Sequence, residues 1–229
     1  MKNSEFKYKI IKKDISEYDL IFKLIVVGDS GVGKSCLCIK AIKDYFDEIY
    51  APTVGFNFLS FHMEIENEIL KLQIWDTCGQ EAYRSLINSF YRNSSLSILV
   101  YSIDNMHSFE NLESWLNEIK TQSNPNMKII LIGTKSDLED KRQVPKEKGE
   151  KFCQDHNLSF FLETSAKTGF NAENLFVKAG LILYEEHKKT KDDISRPGSI
   201  GTSPNIPGVN IYEPKIEEEN KQRKKNCVC

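Results

Sequence analysis

Gly28-Asp29-Ser30-Gly31-Val32-Gly33-Lys34-Ser35 is a glycine-rich loop set directly behind the apolar run Ile21–Val27 and ahead of a helix-period segment. In that context the glycines let the backbone wrap close to phosphate groups. The amides of Gly31 to Ser35 then point inward at a helix N-terminus, where the dipole favours an anion. Lys34 brings a compact positive charge to the β- and γ-phosphates of a nucleotide, and Ser35 offers its hydroxyl to Mg²⁺. The bland alternative is a glycine turn before a helix, but the fixed positions arise by chance on the order of once in a hundred chains of this length. The loop alone leaves kinase, ATPase and GTPase chemistry open.

Further segments carry chemistry of the same kind. Trp75-Asp76-Thr77-Cys78-Gly79-Gln80-Glu81 ends the apolar strand pattern Leu70–Trp75. Asp76 can hold a Mg²⁺-bound water there, Gly79 can donate its backbone N–H to a γ-phosphate oxygen, and Gln80 can orient an attacking water. Thr134-Lys135-Ser136-Asp137 follows the run Lys128–Gly133. A carboxylate at the mouth of a strand accepts both N1–H and N2–H of guanine. Adenine lacks that donor pair and leaves the carboxylate unpaired. Lys135 can lay its aliphatic stem across the base. Glu163-Thr164-Ser165-Ala166-Lys167 follows the last strand pattern, and its backbone can address the guanine O6.

The order and spacing of these segments resemble the Ras-like small GTPases over about residues 20 to 187. The resemblance implies that Thr53 is a mobile Mg²⁺ ligand beside Ser35 and Asp76, that Phe46 packs edge-on to the guanine, and that Tyr50 closes over the phosphates. It extends the nucleotide-binding set along Ser30, Gly31, Val32, Gly33, Lys34, Ser35 and Cys36, and adds Gly79, Thr134, Lys135, Asp137, Ser165, Ala166 and Lys167. Gln80 is the catalytic residue. Thr53 and Gly79 grip the γ-phosphate of GTP and release it after hydrolysis to GDP. Within that class the chain is most similar to the Rab family, on Val54–Phe58, Lys71–Trp75, Tyr83–Leu86, Phe90–Arg92 and Leu99–Ile103. Phe58, Trp75 and Phe90 match its effector-reading aromatic triad, with core packing as the alternative. Thr134 stands where most relatives have Asn, and Cys78 where they have Ala. These departures motivate a second reading, a nucleotide-locked, GTP-bound membrane module that scarcely hydrolyses; a P-loop kinase or ATPase is a third.

The segments must be positioned by an α/β fold. Short apolar runs alternate with helix-period stretches between residues 20 and 187. The resemblance implies a six-stranded, mostly parallel sheet with one antiparallel strand and helices on both faces. The antiparallel strand comes from a hairpin turning at Glu66–Asn67. One helix face carries Phe109, Leu112, Leu116 and Ile119, opened by Ser108 as cap, and another carries Leu175, Phe176, Ala179, Ile182 and Leu183. The expected divisions are an N-terminal arm (1–19), the GTPase domain (20–188) and a flexible tail (189–229). The arm's Lys2, Lys7, Lys9, Lys12 and Lys13 read as solvated.

The chain has 229 residues, 40% apolar and 28% charged, with a formal net charge of −2. That suits a soluble globular domain and excludes a face-wide basic surface for nucleic acid. Met1–Lys13 lacks a following apolar run, so no secretory leader is expected, and the scattered Cys36, Cys38, Cys78 and Cys153 read as reduced cytosolic thiols. Pro197, Pro204 and Pro207 with Gly198, Gly201 and Gly208 break all periodicity in the tail. Cys227-Val228-Cys229 is not a C-a-a-X box. It resembles the Rab ending that receives two geranylgeranyl chains, which together anchor stably where one does not. The basic Lys221, Arg223, Lys224 and Lys225 add attraction to anionic lipid. A coil between Lys188 and Cys227 reaches roughly 35 Å. The resemblance implies a monomer that partners an exchange factor, a GTPase-activating protein, a dissociation inhibitor and an escort with its prenyltransferase. Its location would be the cytosolic face of a membrane, with a cytosolic pool.

Overall fold

The computed structural model describes residues 6–48, 53, 55–79, 90–194 and 210–211. Strand β2 (Leu20–Val27) lies in the middle of a sheet because nearly every residue on it is apolar and buried on both faces. It pairs in parallel with β4 (Glu68–Thr77) on one side and β5 (Leu96–Ser102) on the other. Beyond β5 come β6 (Lys128–Thr134) and β7 (Phe161–Glu163), both parallel. Beyond β4 comes β3 (Phe56–Ile65), antiparallel to it through the expected hairpin. Glu66 and Asn67 both take positive φ, 50° and 70°, as a tight two-residue turn requires.

The sheet path is β1-β3-β4-β2-β5-β6-β7, one strand longer than the six expected. The extra strand, β1 (Tyr8–Ile11), pairs antiparallel with β3 from Tyr8↔Ile65 to Ile11↔His62, so β3 alone runs against the rest of the path. The arm is thus not simply solvated. Lys7 and Lys9 are exposed, but Phe6 and Ile10 pack against the core, and the Phe6 ring meets Tyr184 edge-on at 5.2 Å. Lys12 forms an ion pair with Glu173. The lysine run concealed an apolar face. In the tail, β8 (Asn210–Ile211) pairs antiparallel with β2 at Leu20 and Ile21.

Helices cover both faces. On one, α1 (Lys34–Lys43) and α5 (Ala172–Ile194) bury Leu37, Cys38, Leu175, Phe176, Ala179 and Leu183 over β2, β3 and β4. On the other, α3 (Leu112–Gln122) and α4 (Lys146–Asp155) bury Leu112, Trp115, Leu116, Ile119 and Phe152 over β2, β5 and β6. The expected single helix opened by Ser108 is two pieces: α2 (Met106–Glu110) precedes α3, with Asn111 at the joint. Asn105 is the cap, accepting from the Ser108 amide at 3.3 Å. Ser108 is buried, and its hydroxyl accepts from the Ser102 amide at 3.0 Å. That position lies inside the fold, where a hydroxyl serves a strand end better than a helix start. No helix among the described residues is long and apolar enough to cross a membrane. Cys36, Cys38, Cys78 and Cys153 are free.

Candidate functional site

Strand β2 is where the sheet changes direction of growth, since β3 and β4 add on one side and β5 to β7 on the other. Loops leaving the C-terminal ends of parallel strands at such a point diverge and leave a crevice. Here the loops after β2, β4, β6 and β7 enclose a cleft of about 430 Å³.

One end of the cleft is an anion cradle. Helix α1 starts on Gly33 (φ 94°) with no side-chain cap and no acidic residue in its first turn. Its first internal bond runs from Leu37 N–H to the Gly33 carbonyl at 3.0 Å. The amides of Lys34, Ser35 and Cys36 therefore have no intrahelical acceptor and face the crevice with the positive end of the dipole. Ser30, Gly31, Gly33, Lys34, Ser35 and Cys36 all line it, whereas Val32 lies in the core, 1% exposed. Lys34 Nζ donates to the Gly28 and Asp29 carbonyls at 2.8 Å each. Burial pulls the Lys34 pKa down to about 8, against the opposing pull of Asp76 and Asp29. A buried ammonium held only by carbonyls gains most from a negatively charged ligand.

Beside Lys34 sits a set of oxygen ligands. Ser35 Oγ donates to Asp76 Oδ2 at 2.5 Å and lies 2.7 Å from Thr53 Oγ1. Asp76 is fully buried, and its Oδ1 has no hydrogen-bond partner among the described residues. Burial raises the Asp76 pKa, opposed by the Ser35 hydroxyl and by Lys34. Two hydroxyls and a carboxylate with one unpaired oxygen fit a hard cation such as Mg²⁺. They are too few charges to hold it alone, so the ligand set needs phosphate oxygens to complete it. No cluster of three or more acidic, His or Cys ligands occurs among the described residues.

Gly79 backs onto this cradle. A Cβ there would lie 2.3 Å from the Asp29 carbonyl carbon and 2.4 Å from the Ser30 nitrogen, so the close approach of two backbones demands glycine. The obstruction is the phosphate loop itself, in addition to any ligand.

The far end of the cleft is built by the loops after β6 and β7. Lys135 (φ 59°) and Asp137 line it, with Phe46, Ala166 and Lys167. Lys135 Nζ is steadied by Asp104 Oδ2 at 3.4 Å. Ser165 does not line the cleft. Fully buried, it donates to Asp137 Oδ1 at 2.5 Å and accepts from the Thr168 amide at 3.1 Å, which orients the carboxylate. Thr134 touches the cleft, but its hydroxyl faces away from the base end, toward the Val32 carbonyl and, at 2.9 Å, the Tyr101 carbonyl. It ties the phosphate loop to β5. Cys78 is buried, 2% exposed, which removes it as an accessible thiol. Tyr50 and Gln80 lie outside the described residues, as do Cys227 and Cys229.

Phe58, Trp75 and Phe90 come together away from the cleft. Trp75 meets Phe58 at 5.4 Å and Phe90 at 4.9 Å. Phe56 joins them, 4.8 Å from Phe90 and 5.2 Å from Trp75, and Lys23 Nζ sits 5.0 Å over the Trp75 ring. Phe56 and Phe58 are 47% and 46% exposed, so core packing does not account for them. Sequence reasoning missed Phe56, although two residues along a strand share a face and its spacing from Phe58 was visible.

It also missed Arg142. Its guanidinium grips Glu163 through both carboxylate oxygens, at 2.7 and 2.9 Å, and Glu139 at 2.8 and 2.7 Å. That clamps together the two loops around Asp137 and Ser165. The Glu139 pair is local, three residues apart, but no local pattern signals the Glu163 partner.

The Ras family model matches residues 23–184, the interval that contains every wall of the cleft.

Proposed function

The chain belongs to the Ras family of small GTPases, and from that premise we propose that it is a Rab-like molecular switch that binds GTP, hydrolyses it to GDP and phosphate, and recruits effectors to a membrane while triphosphate is bound. The observation that carries this reading is one cleft with an uncapped helix N-terminus and Lys34 at one end and the Ser165-held carboxylate of Asp137 at the other.

The base end chooses guanine. Asp137 accepts from N1–H and N2–H, Lys135 and Phe46 bracket the ring, and the backbone at Ala166 and Lys167 meets O6. The phosphate end binds by amides and by Lys34. Mg²⁺, when bound by Ser35, Thr53 and Asp76, supplies positive charge against the phosphate oxygens. Gly79, held flush against the loop, offers its amide where the γ-phosphoryl group lies, and Gln80 orients the water that attacks it. Charge building on that group in the transition state meets donors already in place. Intrinsic turnover is on the order of 10⁻⁴ to 10⁻³ s⁻¹, so an exchange factor and a GTPase-activating protein set the state.

Thr53 and Gly79 touch opposite ends of the segments that sense the third phosphoryl group, and β3 with β4 links both to the ring cluster of Phe56, Phe58, Trp75 and Phe90, of which Phe56 and Phe58 are exposed. That cluster reads as the effector surface. Cys227 and Cys229 carry two geranylgeranyl chains, attached with the help of an escort and shielded in the cytosol by a dissociation inhibitor. The protein then works on the cytosolic face of a membrane, in vesicle traffic.

The test is competition of GTP and ATP for the purified protein, followed by single-turnover hydrolysis. Strong GTP preference and hydrolysis slowed at least about tenfold by Gln80→Leu are expected. Equal affinity for ATP would sink the reading, and protein isolated holding GTP that it does not hydrolyse would favour a locked binding module. Loss of membrane association on replacing Cys227 and Cys229 with Ser tests the anchor.

A further inference from the structure

We propose that Asp29 is a positioning residue, a strut through which helix α3 holds the phosphate loop in its anion-binding shape; the proposal rests on the nucleotide reading above and names a part of that site. Asp29 is the second residue of the loop, and its side chain points back into the fold. Oδ1 accepts from Trp115 Nε1 at 2.8 Å and Oδ2 from Asn111 Nδ2 at 2.7 Å. Both donors lie at the start of α3, one helical turn apart, so the carboxylate is held from two points. Trp115 is 1% exposed and embedded in the core cluster with Ile25, Val27 and Leu99. The anchor is therefore rigid. His107 Nδ1 lies 3.8 Å from Oδ2, and the Lys34 ammonium also feels this carboxylate's charge.

The main chain of the same residue carries the functional contacts. The Asp29 carbonyl accepts from Lys34 Nζ at 2.8 Å, and the Asp29–Ser30 peptide is the surface on which Gly79 lies. One side chain thus sets the position of the Lys34 acceptor and of the pad beneath Gly79. A loop rich in glycine has few internal restraints of its own, and hydrogen bonds to a carboxylate are among the stronger ones available. The chain 82 to 86 residues downstream supplies what the loop lacks.

Trp115→Phe keeps the ring in the core and deletes the donor. Release of a fluorescent GDP analogue should quicken about tenfold, and the affinities for GDP and GTP should fall together. A structural role alone would weaken GMP equally. The strut acts on the β- and γ-phosphate cradle, so GMP displacement of the same probe should change by less than about twofold, given that each tenfold is 1.4 kcal/mol. Asp29→Ala combined with Trp115→Phe should cost no more than Asp29→Ala alone, since losing the carboxylate already removes the Trp115 hydrogen bond. Asn111→Ala, at a partly exposed position, carries the test if Trp115→Phe does not fold. Unchanged GDP release, equal losses for GDP and GMP, or additive effects overturn the strut. Failure of the unaltered protein to bind the GDP analogue overturns the nucleotide reading instead.

Discussion

Thr134 offers a measurement whose size follows from hydrogen-bond inventory. Its hydroxyl has one hydrogen and faces two carbonyls, those of Val32 in the phosphate loop and Tyr101 on β5; it can serve only one at a time. Thr134→Asn supplies two N–H donors. Thr134 is 3% exposed and borders the cleft. One additional buried hydrogen bond contributes about 1 kcal/mol net, so GDP release should slow about fivefold. Thr134→Val, which keeps the shape and removes the hydroxyl, should leave an acceptor unpaired, cost about 1–3 kcal/mol and speed release in proportion. Stopped-flow release of a fluorescent GDP analogue measures all three proteins. If Asn leaves release unchanged or hastens it while Val does nothing, the tie between loop and strand is energetically idle and the reasoning is refuted.

Lys34, whose pKa burial pulls down to about 8, should be fully protonated when phosphates arrive, because a nearby anion favours the charged form. The sign is definite: GDP binding should take up more protons through this group at pH 8.5 than at pH 6.5, where the group is already almost fully charged. Calorimetry in buffers of different ionisation heat reads the difference, and equal uptake at both pH values contradicts the assignment. Gly79→Ala places a Cβ at 2.3–2.5 Å from the Asp29–Ser30 backbone. The backbone at Gly79 must lift from the loop, and the ratio of GTP to GDP affinity should fall by at least about tenfold, one lost charge-assisted contact; a retained ratio counts against Gly79 as phosphate sensor. Arg142→Ala leaves Glu163, whose side chain is only 10% exposed, without its bidentate partner. Thermal unfolding with and without GDP should register a loss of roughly 3 kcal/mol, and a loss below about 1 kcal/mol, the scale of exposed pairs, would demote the clamp.

Chemistry that depends on contiguous residues was legible in the chain alone. The turn from β2 through Gly28–Gly33 into α1, the Asp137 segment behind β6 and the Glu66–Asn67 hairpin each need particular residues at adjacent positions, because backbone conformation is set locally. The α/β class followed from the alternation of apolar runs and helix periods, and the mostly parallel sheet from the resemblance. Tertiary structure decided the rest. It folded the lysine-rich arm back as β1, since Phe6 and Ile10 had an apolar surface to reach only once α5 and β3 were in place. It moved the helix cap from Ser108 to Asn105, and tied Ser165 to Asp137 and Thr134 to the Val32 and Tyr101 carbonyls. It added Phe56 to the aromatic patch and joined Asp29 to Trp115 and Arg142 to Glu163. Those pairings span from about twenty to nearly ninety residues, and no local period encodes them. They form because burying a charged or polar side chain is tolerable only where a partner from elsewhere in the chain arrives to meet it.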